Sequence, residues 1–291
     1  MTAAARLRAR LDQGGILAAP GAADSLTARL VQRAGFEAVY MTGFGATASR
    51  LGCPDIGLLT QTEMTTHARD MVRAVEIPVI ADADTGYGGP ANIARTMEEY
   101  AQAGVAAVHL EDQVAPKRCG QLAGIRLIAA EENVRRLRCA LACCAPGGPL
   151  VIGRTDAMPA LGAEEAVRRA LMYQDAGVDL VFVDGIKRIA EIEVVARRVP
   201  GPKVVSIVDG NETAGLTARE LEQMGFAVVF YAVTTLFAAA QAAAGALAAL
   251  KRDGTPVQVA GSMGYAEFSA LVDLPRFQAL DESYGSEPAT S

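Results

Sequence analysis

Short apolar runs alternate with longer amphipathic segments along most of the chain. Runs such as LVFV and VVF are apolar at every position, which is typical of parallel strands covered on both faces. The turns AGF, AGV, AGV and MGF follow four amphipathic segments, and their glycines tolerate the left-handed backbone found at helix C-termini. Because eight strand–helix pairs result, the pattern predicts an α/β fold, a (β/α)8 TIM barrel forming a single domain over residues 1–291.

The pattern also predicts where the elements lie. We expect strands at residues 16–19, 38–42, from 78 onward, and at 106–111, 150–154, 180–183, 203–207 and 228–231. The small-residue segment TGFGATASRLG after the second strand predicts a loop. Residues 252–285 are expected to form a C-terminal helical extension with helices at Tyr265–Leu271 and Pro275–Tyr284, and residues 286–291 a loose tail.

Charge and cysteine content narrow the classes of function. A formal net charge of −6 without a basic block argues against nucleic acid as a partner. The longest apolar run, Leu236–Leu250, is rich in alanine and too short to cross a bilayer, so no membrane partner is expected. Five cysteines without metal-finger spacing, and no signal peptide in MTAAARLRARLDQGG, indicate a cytoplasmic protein. An arginine-rich transit peptide is the alternative for that opening segment.

Carboxylates stand where two of the predicted strands end. VIADAD ends with Asp82 and Asp84, and AAVHLED ends with Glu111 and Asp112. Barrels place their chemistry at the carboxyl ends of the strands, and residues two apart on a strand face the same side. Because three converging acids would repel one another, we expect Asp82, Asp84 and Glu111 to bind Mg²⁺, with Mn²⁺ as an alternative cation. Merely solvated strand ends are the other interpretation, and Asp112 is expected to point outward in a structural role.

Three motifs in order, DADTGYG, EDQ and PKRCG, resemble the isocitrate lyase/phosphoenolpyruvate mutase superfamily, on its 2-methylisocitrate lyase-like branch. Weaker similarity runs from about Ile16 to Gly285. The resemblance implies a (β/α)8 barrel and Mg²⁺-dependent chemistry on small 2-hydroxy or 2-oxo carboxylic acids. It also implies that Asp82 coordinates the metal directly, while Asp84 and Glu111 hold its waters.

The resemblance gives Cys119, in PKRCG, the role of general acid on a loop that closes over the substrate. Its neighbours Lys117 and Arg118 are cations, so the residues themselves predict a lowered pKa for the thiol. A buried cysteine that only fills space is the alternative. Asp55, in LGCPDIG, matches a residue that closes the same loop.

Residues that would bind an anionic substrate follow two other strands. Thr42, Gly43 and Phe44 form a small-residue turn that can point backbone N–H groups at a carboxylate, and the superfamily uses such groups to grip the pyruvyl unit. Arg154 ends the fifth strand in GRTDA. An arginine at a strand end near a metal is best explained by an anionic substrate, with a purely structural role as the alternative.

Four positions depart from the lyase pattern and are expected to shape substrate choice. Gln121 stands where relatives have His, and Asp184 where they have Glu at the end of strand six. Ser206 and Asp209 replace the Asn and Glu of strand seven. Because each replacement changes or shortens a polar group, we expect a substrate pocket that is not tuned to methylisocitrate.

These observations predict a carbon–carbon lyase that cleaves a 2-hydroxy di- or tricarboxylic acid by Mg²⁺-assisted retro-aldol chemistry. The products would be a pyruvate- or glyoxylate-like 2-oxo acid and a second carboxylic acid, with Cys119 protonating the departing carbanion. An oxaloacetate-type decarboxylase, a phosphonopyruvate-type P–C bond enzyme and a non-catalytic binding protein are the alternatives, in that order. The resemblance further implies a homotetramer made of two helix-swapped dimers, against a C-terminal helix folded back on its own barrel.

Overall fold

A closed barrel of eight parallel strands forms the centre of the structure, a computed structural model that describes residues 1–285. Neighbouring strands pair in chain order and the eighth pairs with the first, which confirms the predicted (β/α)8 fold. The tail predicted at residues 286–291 lies outside the described residues. The strands are β1 (Leu17–Ala22), β2 (Val39–Met41), β3 (Val79–Asp82), β4 (Ala107–Glu111), β5 (Leu150–Thr155), β6 (Leu180–Val183), β7 (Lys203–Ile207) and β8 (Val228–Tyr231).

Helices connect the strands and continue beyond the last one. Two short 3-10 helices cover Glu212–Gly215 and Pro256–Gln258. The α-helices are α1 (Ala3–Asp12), α2 (Ser25–Arg33), α3 (Gly43–Leu51), α4 (Gln61–Ala74), α5 (Pro90–Ala103), α6 (Ala130–Cys143), α7 (Ala157–Leu161), α8 (Ala163–Asp175), α9 (Ile189–Arg198), α10 (Ala218–Gln223), α11 (Thr234–Asp253), α12 (Tyr265–Leu271) and α13 (Leu274–Tyr284).

The segment after β2 forms helix α3, so the loop predicted there is wrong. The backbone N–H of Gly45 donates to the Thr42 hydroxyl at 3.3 Å, which caps the start of the helix. Gly52, in the left-handed conformation, ends it. A Cβ atom on Gly45 would lie 2.6 Å from the Thr42 methyl carbon. The small residues that suggested a loop therefore allow close packing of a helix.

Glycines end the helices that precede every second strand, as the sequence predicts. Gly35, Gly104, Gly177 and Gly225 have φ values of 87°, 87°, 96° and 83°. Side chains other than glycine rarely adopt this conformation, so each glycine turns the chain from a helix back towards the barrel.

Apolar side chains stabilise the barrel from inside and outside. Inside it, the rings of Tyr40 and Phe230 stack with centroids 4.1 Å apart, and Phe182 packs edge-on against Phe230. A second apolar layer lies between the sheet and its helices. The aromatic side chains form a buried floor beneath the carboxyl ends of the strands, where a barrel carries its active site.

The chain divides into two compact units. The first, Met1–Leu236, contains the barrel, and the second begins at Phe237 and contains α12 packed against α13. A single domain with an extension from residue 252 stays a prediction. No helix among residues 1–285 combines the length and apolar character needed to span a lipid bilayer.

Candidate active site

The carboxyl ends of β3 and β4 bring acidic side chains together at the mouth of the barrel. Asp82 pairs with His109 across the two strands, and Glu111 follows two residues later. Asp82 Oδ1 accepts the backbone N–H of Asp84 at 2.9 Å, and Oδ2 accepts that of Gly43 at 3.2 Å. A Cβ atom on Gly43 would lie 2.4 Å from Asp82 Oδ2, so this approach of α3 to the carboxylate requires glycine.

Lys117 lies between two carboxylates on one side of the mouth. Its Nζ is 2.7 Å from Asp55 Oδ1 and 2.8 Å from Asp84 Oδ1, and its side chain is only 4% exposed. Burial disfavours the ammonium, but Asp84 and Asp55 outweigh burial and raise the pKa of Lys117 well above its ordinary value. Burial raises the pKa of Asp84 to about 6, against the attraction of Lys117. The backbone N–H of Cys119 also donates to Asp55 at 3.0 Å, so Asp55 holds the loop at two points.

Arg154 lies among three carboxylates on the other side of the mouth. Its guanidinium donates to both oxygens of Asp156, at 2.9 and 3.1 Å, and Nη2 lies 2.6 Å from Asp184 Oδ2. Nε is 3.3 Å from Glu111 Oε2. Burial raises the pKa of Glu111 well above its ordinary value, although Arg154 acts in the opposite direction. The arginine is fixed in place, with its charge shared by residues at the ends of β4, β5 and β6.

The acids predicted to bind a cation already face positive side chains. Lys117 faces Asp84 and Arg154 faces Glu111, which corrects the expectation that a metal alone relieves their repulsion. The carboxyl groups in this cluster nevertheless outnumber the cationic side chains. Within the described residues, two cationic side chains share six carboxyl groups in this cluster, those of Asp55, Asp82, Asp84, Glu111, Asp156 and Asp184.

These residues fit a hard divalent cation that keeps part of its water shell. Both oxygens of Glu111 are buried and have no hydrogen-bond partner in the described chain. His109, Lys117 and Arg154 outweigh the effect of burial and lower the pKa of Asp82 to about 2, so this carboxylate is ionised. Among residues 1–285, no three His, Cys, Asp or Glu side chains form a ready-made metal site. Mg²⁺ is commonly held by one or two carboxylates and several waters, which is the arrangement expected here.

A buried histidine links Asp82 to the aromatic floor. His109 Nδ1 is 3.6 Å from Asp82 Oδ1, and Nε2 is 3.0 Å from the Tyr40 hydroxyl. Burial lowers the pKa of His109 to about 4, so the ring is neutral near pH 7. The Tyr40 contact holds the ring in the core, while Nδ1 is buried and has no hydrogen-bond partner within the described residues.

Cys119 lies on the loop over the mouth, and its predicted electrostatics are wrong. Burial raises the pKa of its thiol to about 12, and Asp184 and Asp55 add to this effect. The neighbouring cation Lys117 is paired with carboxylates, and Arg118 is exposed. The thiol therefore keeps its proton at neutral pH, as a general acid must before it reacts.

Some of the remaining residues predicted to bind substrate lie at the mouth, and others do not. Thr42, Gly43 and Phe44 lie at the start of α3, where the Gly43 N–H donates to Asp82 at the mouth. The side-chain oxygen of Gln121 accepts from Asn211 at 3.1 Å.

Ser206 is buried within β7, but Asp209 is exposed and accepts the Thr234 hydroxyl at 2.7 Å. The structure therefore brings Ser206 to the barrel interior and leaves Asp209 outside the buried cluster. Asp184 belongs to that cluster through Arg154.

Two members of the cluster, Lys117 and Asp156, were not among the predicted site residues. Asp156 could have been predicted from the sequence, because it follows Arg154 by two positions and strand periodicity puts both side chains on one face. Lys117 lies in the PKRCG motif, but its partner Asp55 is 62 residues away in the chain. Spacing along the sequence gives no sign of that pair.

The chain is similar to known proteins over nearly its full length. A family model described as phosphoenolpyruvate phosphomutase matches residues 7–251. The 2,3-dimethylmalate lyase of Eubacterium barkeri is 39% identical over 287 residues, 98% of this chain and 99% of the relative. The 2-methylisocitrate lyase of Bacillus subtilis (strain 168) is 39% identical, covering 96% of this chain and 92% of that enzyme.

Solved structures show the same architecture. A crystal structure of 2,3-dimethylmalate lyase, described as a PEP mutase/isocitrate lyase superfamily member, matches with a TM-score of 0.91, 38% identity, and coverage of 98% of this chain and 96% of that one. Oxaloacetate acetylhydrolase with 3,3-difluorooxalacetate gives 0.90 at 33% identity, with 98% of both chains covered. Phosphonopyruvate hydrolase with oxalate and Mg²⁺ gives 0.89 at 31% identity, covering 98% of this chain and 100% of the other.

Proposed function

The chain belongs to the PEP mutase/isocitrate lyase superfamily, and from this membership we propose that it is a carbon–carbon lyase acting on a 2-hydroxy acid. It cleaves a 2-hydroxy di- or tricarboxylic acid to a pyruvate- or glyoxylate-like 2-oxo acid and a second carboxylic acid. The observation that carries the proposal is the mouth of the barrel, where the underpaired carboxylate Glu111 lies beside Arg154 and the loop that carries Cys119 packs at Gly120 against Asp156 and Asp184.

Within that class, we favour a 2-alkylmalate-type dicarboxylic acid over a tricarboxylic acid. Arg154 already pairs with Asp156 and Asp184, and Gln121 and Ser206 supply no charge where the pocket departs from the lyase pattern. A third substrate carboxylate would therefore lack a cation. The relative from Eubacterium barkeri, named for 2,3-dimethylmalate, supports this choice.

We assign Mg²⁺ to the acid cluster, with Asp82 as the direct ligand and Asp84 and Glu111 holding its waters; Mn²⁺ is the alternative. The bound cation supplies positive charge where the substrate hydroxyl becomes a carbonyl. The Mg²⁺ in phosphonopyruvate hydrolase supports this assignment. The first N–H groups of α3, at Gly43 and Phe44, and the Arg154 guanidinium orient the carboxylate end of the substrate.

Cys119 completes the cleavage. A base removes the proton of the substrate hydroxyl, which becomes the carbonyl as the carbon–carbon bond breaks. The electron pair of that bond passes to the α-carbon of the departing acid, and the thiol donates its proton there. A thiol with a raised pKa holds this proton until a strongly basic carbanion forms. Asp55 and Lys117 hold the loop closed and so exclude water during the step.

A second candidate is cleavage of oxaloacetate, favoured by the structural similarity to oxaloacetate acetylhydrolase. Decarboxylation of an oxaloacetate-type acid uses the same cation but needs no thiol acid. Phosphonopyruvate-type P–C chemistry ranks below these because the PKRCG loop matches the lyases. A non-catalytic role ranks last because the acids and Cys119 are all retained.

A substrate panel tests the proposal. The purified protein is incubated with Mg²⁺ and, separately, 2-alkylmalates, methylisocitrate and oxaloacetate, and the products are identified by chromatography. We expect a 2-oxo acid and a second acid in equal amounts, with a 2-alkylmalate as the best substrate. A wide preference for methylisocitrate would overturn the substrate choice. Release of CO₂ from oxaloacetate alone would replace the lyase with a decarboxylase.

Location and assembly are also proposals. Five free cysteines support a reducing cytoplasm. The second unit exposes apolar side chains, among them Phe268, Phe277 and Leu280, which supports a homo-oligomer in which C-terminal helices contact a neighbouring subunit. We propose a tetramer of two helix-swapped dimers.

A further inference from the structure

Asp112 follows Glu111 at the end of β4 and faces the layer between the sheet and α8. The prediction that it points outward is confirmed, because its buried side chain contacts Arg169 and Tyr173 of α8, while the structural role stays a prediction. Three donors converge on Oδ2: the Thr155 hydroxyl at 2.7 Å, Arg169 Nη1 at 2.9 Å and the Tyr173 hydroxyl at 2.7 Å. One donor, the backbone N–H of Asp156, reaches Oδ1 at 3.0 Å.

Asp156 connects these contacts to the active site. Asp112 fixes the backbone of Asp156, and the carboxylate of Asp156 binds Arg154 through two hydrogen bonds. Arg154 in turn lies 2.6 Å from Asp184 and 3.3 Å from Glu111. A carboxylate that does not touch the mouth thus determines where its arginine stands.

We infer that Asp112 is a positioning residue, which sets the end of β5 so that Asp156 aims Arg154 at the substrate carboxylate. The inference rests on the proposed function for the role of Arg154 as a substrate-binding residue. Outer partners of this kind commonly change activity by about 10 to 100-fold, because small displacements of orienting groups are costly.

Asparagine at this position disrupts the hydrogen bond from the Asp156 N–H and also removes the charge that faces Arg169. Three donors surround Oδ2, so Asp112→Asn places its amide oxygen there and turns its NH₂ group towards the Asp156 N–H. Two donors then face each other at Oδ1, and the Asp156 backbone must move. Tyr173→Phe is the matched control, because it removes one donor at Oδ2 and leaves the Asp156 contact in place.

The experiment measures kcat, KM and Tm for wild type and both variants on the best acid of the panel. We expect kcat/KM of Asp112→Asn to fall about 10 to 100-fold, and that of Tyr173→Phe to stay within about twofold while its Tm decreases. The positioning role is wrong if kcat/KM decreases in proportion to Tm in both variants. It is also wrong if folded Asp112→Asn has the kcat/KM of wild type. Should Asp112→Asn not fold, Thr155→Val serves instead. Unlike Tyr173→Phe, it also removes the hydroxyl that accepts the backbone N–H of Ala157, next to Asp156, at 3.2 Å, so a smaller loss is expected and wild-type activity contradicts the inference.

A crystal structure of the variant gives a readout that does not require turnover. Loss of the two-bond contact between Arg154 and Asp156 supports the inference, and an unchanged contact overturns it. Wild-type protein that is inert towards every acid contradicts the proposed function instead, so the two failures are distinguishable.

Discussion

Glu111 and Asp112 are neighbours in the chain and both are buried, yet their side chains are bonded in opposite ways. Both oxygens of Glu111 lack a hydrogen-bond partner within the described residues, while Asp112 accepts four hydrogen bonds. One faces the mouth of the barrel and the other faces the layer beneath α8. Strand alternation alone separates them.

The difference indicates separate roles for the carboxylates around Glu111 and those around Asp112. A buried carboxylate without donors is costly, so such groups persist where a cation or substrate completes them. On the proposed function, we expect the inner carboxylates around Glu111 to serve chemistry and the outer network around Asp112 to hold the inner one in place. Substitutions inside should reduce turnover more than stability, and substitutions outside should lower stability as well.

The largest effect is expected at the inner thiol. Cys119→Ser should lower kcat by about 10² to 10⁴-fold, because a serine hydroxyl of similar size is far less acidic. Its Tm should stay near wild type. Steady-state kinetics check this, with the exposed Cys53 changed to serine as the control that should match wild type. Near-normal turnover of Cys119→Ser would favour decarboxylation over retro-aldol cleavage.

The next effect concerns the underpaired acid. Glu111→Gln should lower kcat/KM by about 10² to 10³-fold, the usual result of losing one preorganised electrostatic group. Because burial raises the pKa of Glu111 well above its ordinary value, removing its charge should leave the Tm unchanged or higher. Thermal unfolding measures the Tm and steady-state kinetics measure kcat/KM, so the effects on stability and on turnover are separated. A large decrease in Tm would contradict the division between inner and outer carboxylates.

A smaller effect is expected at the loop. Lys117→Met leaves Asp55 and Asp84 without their cation, which should cost about 3 kcal/mol of unfolding free energy, less if Asp84 takes up a proton. The loop should open, so Cys119 should react faster with iodoacetamide. Arg118→Met, an exposed neighbour, is the control expected to change neither quantity. Equal alkylation rates in both variants would show that Lys117 does not hold the loop.

The smallest effect is expected at a buried polar group that lacks a hydrogen-bond partner in the described chain although it is not part of the acid cluster. This group is Nε2 of His67, which lies on α4. Burial lowers its pKa, so the unfolded chain binds a proton that the folded protein does not as pH falls below about 6.5. The contribution of His67 to stability should therefore decrease below that pH. Chemical denaturation at several pH values should show a weaker pH dependence in His67→Gln than in wild type, and identical slopes would contradict the argument.

Most of the barrel could be predicted from its pattern, because each strand and helix is marked by its own residues. β6, β7, β8 and α12 lie where the sequence places them. α3 could not be predicted, because its glycines and threonines satisfy packing against Asp82 and Ala23, which lie far from it in the chain. Short α7 was missed for a different reason, because its five residues follow β5 without a pattern of their own.

The site was partly predictable. Asp82, Asp84 and Glu111 follow strands, and strand ends converge in any barrel. The charge environment was not predictable, because it depends on pairs such as Lys117 with Asp55 that only the folded chain brings together. The same cause reversed the expected pKa shift of Cys119, since burial and nearby acids outweigh cations adjacent in sequence.

A metal titration tests the central claim most directly. Chelator-treated protein is supplied with the best acid of the panel and increasing Mg²⁺, and both carboxylic acid products are quantified. We expect no product without a divalent cation, equal amounts of two acids once Mg²⁺ is restored, and no activity or Mg²⁺-dependent rise in Tm for folded Asp82→Ala. Undiminished cleavage by the metal-free protein, or by Asp82→Ala, would contradict the account.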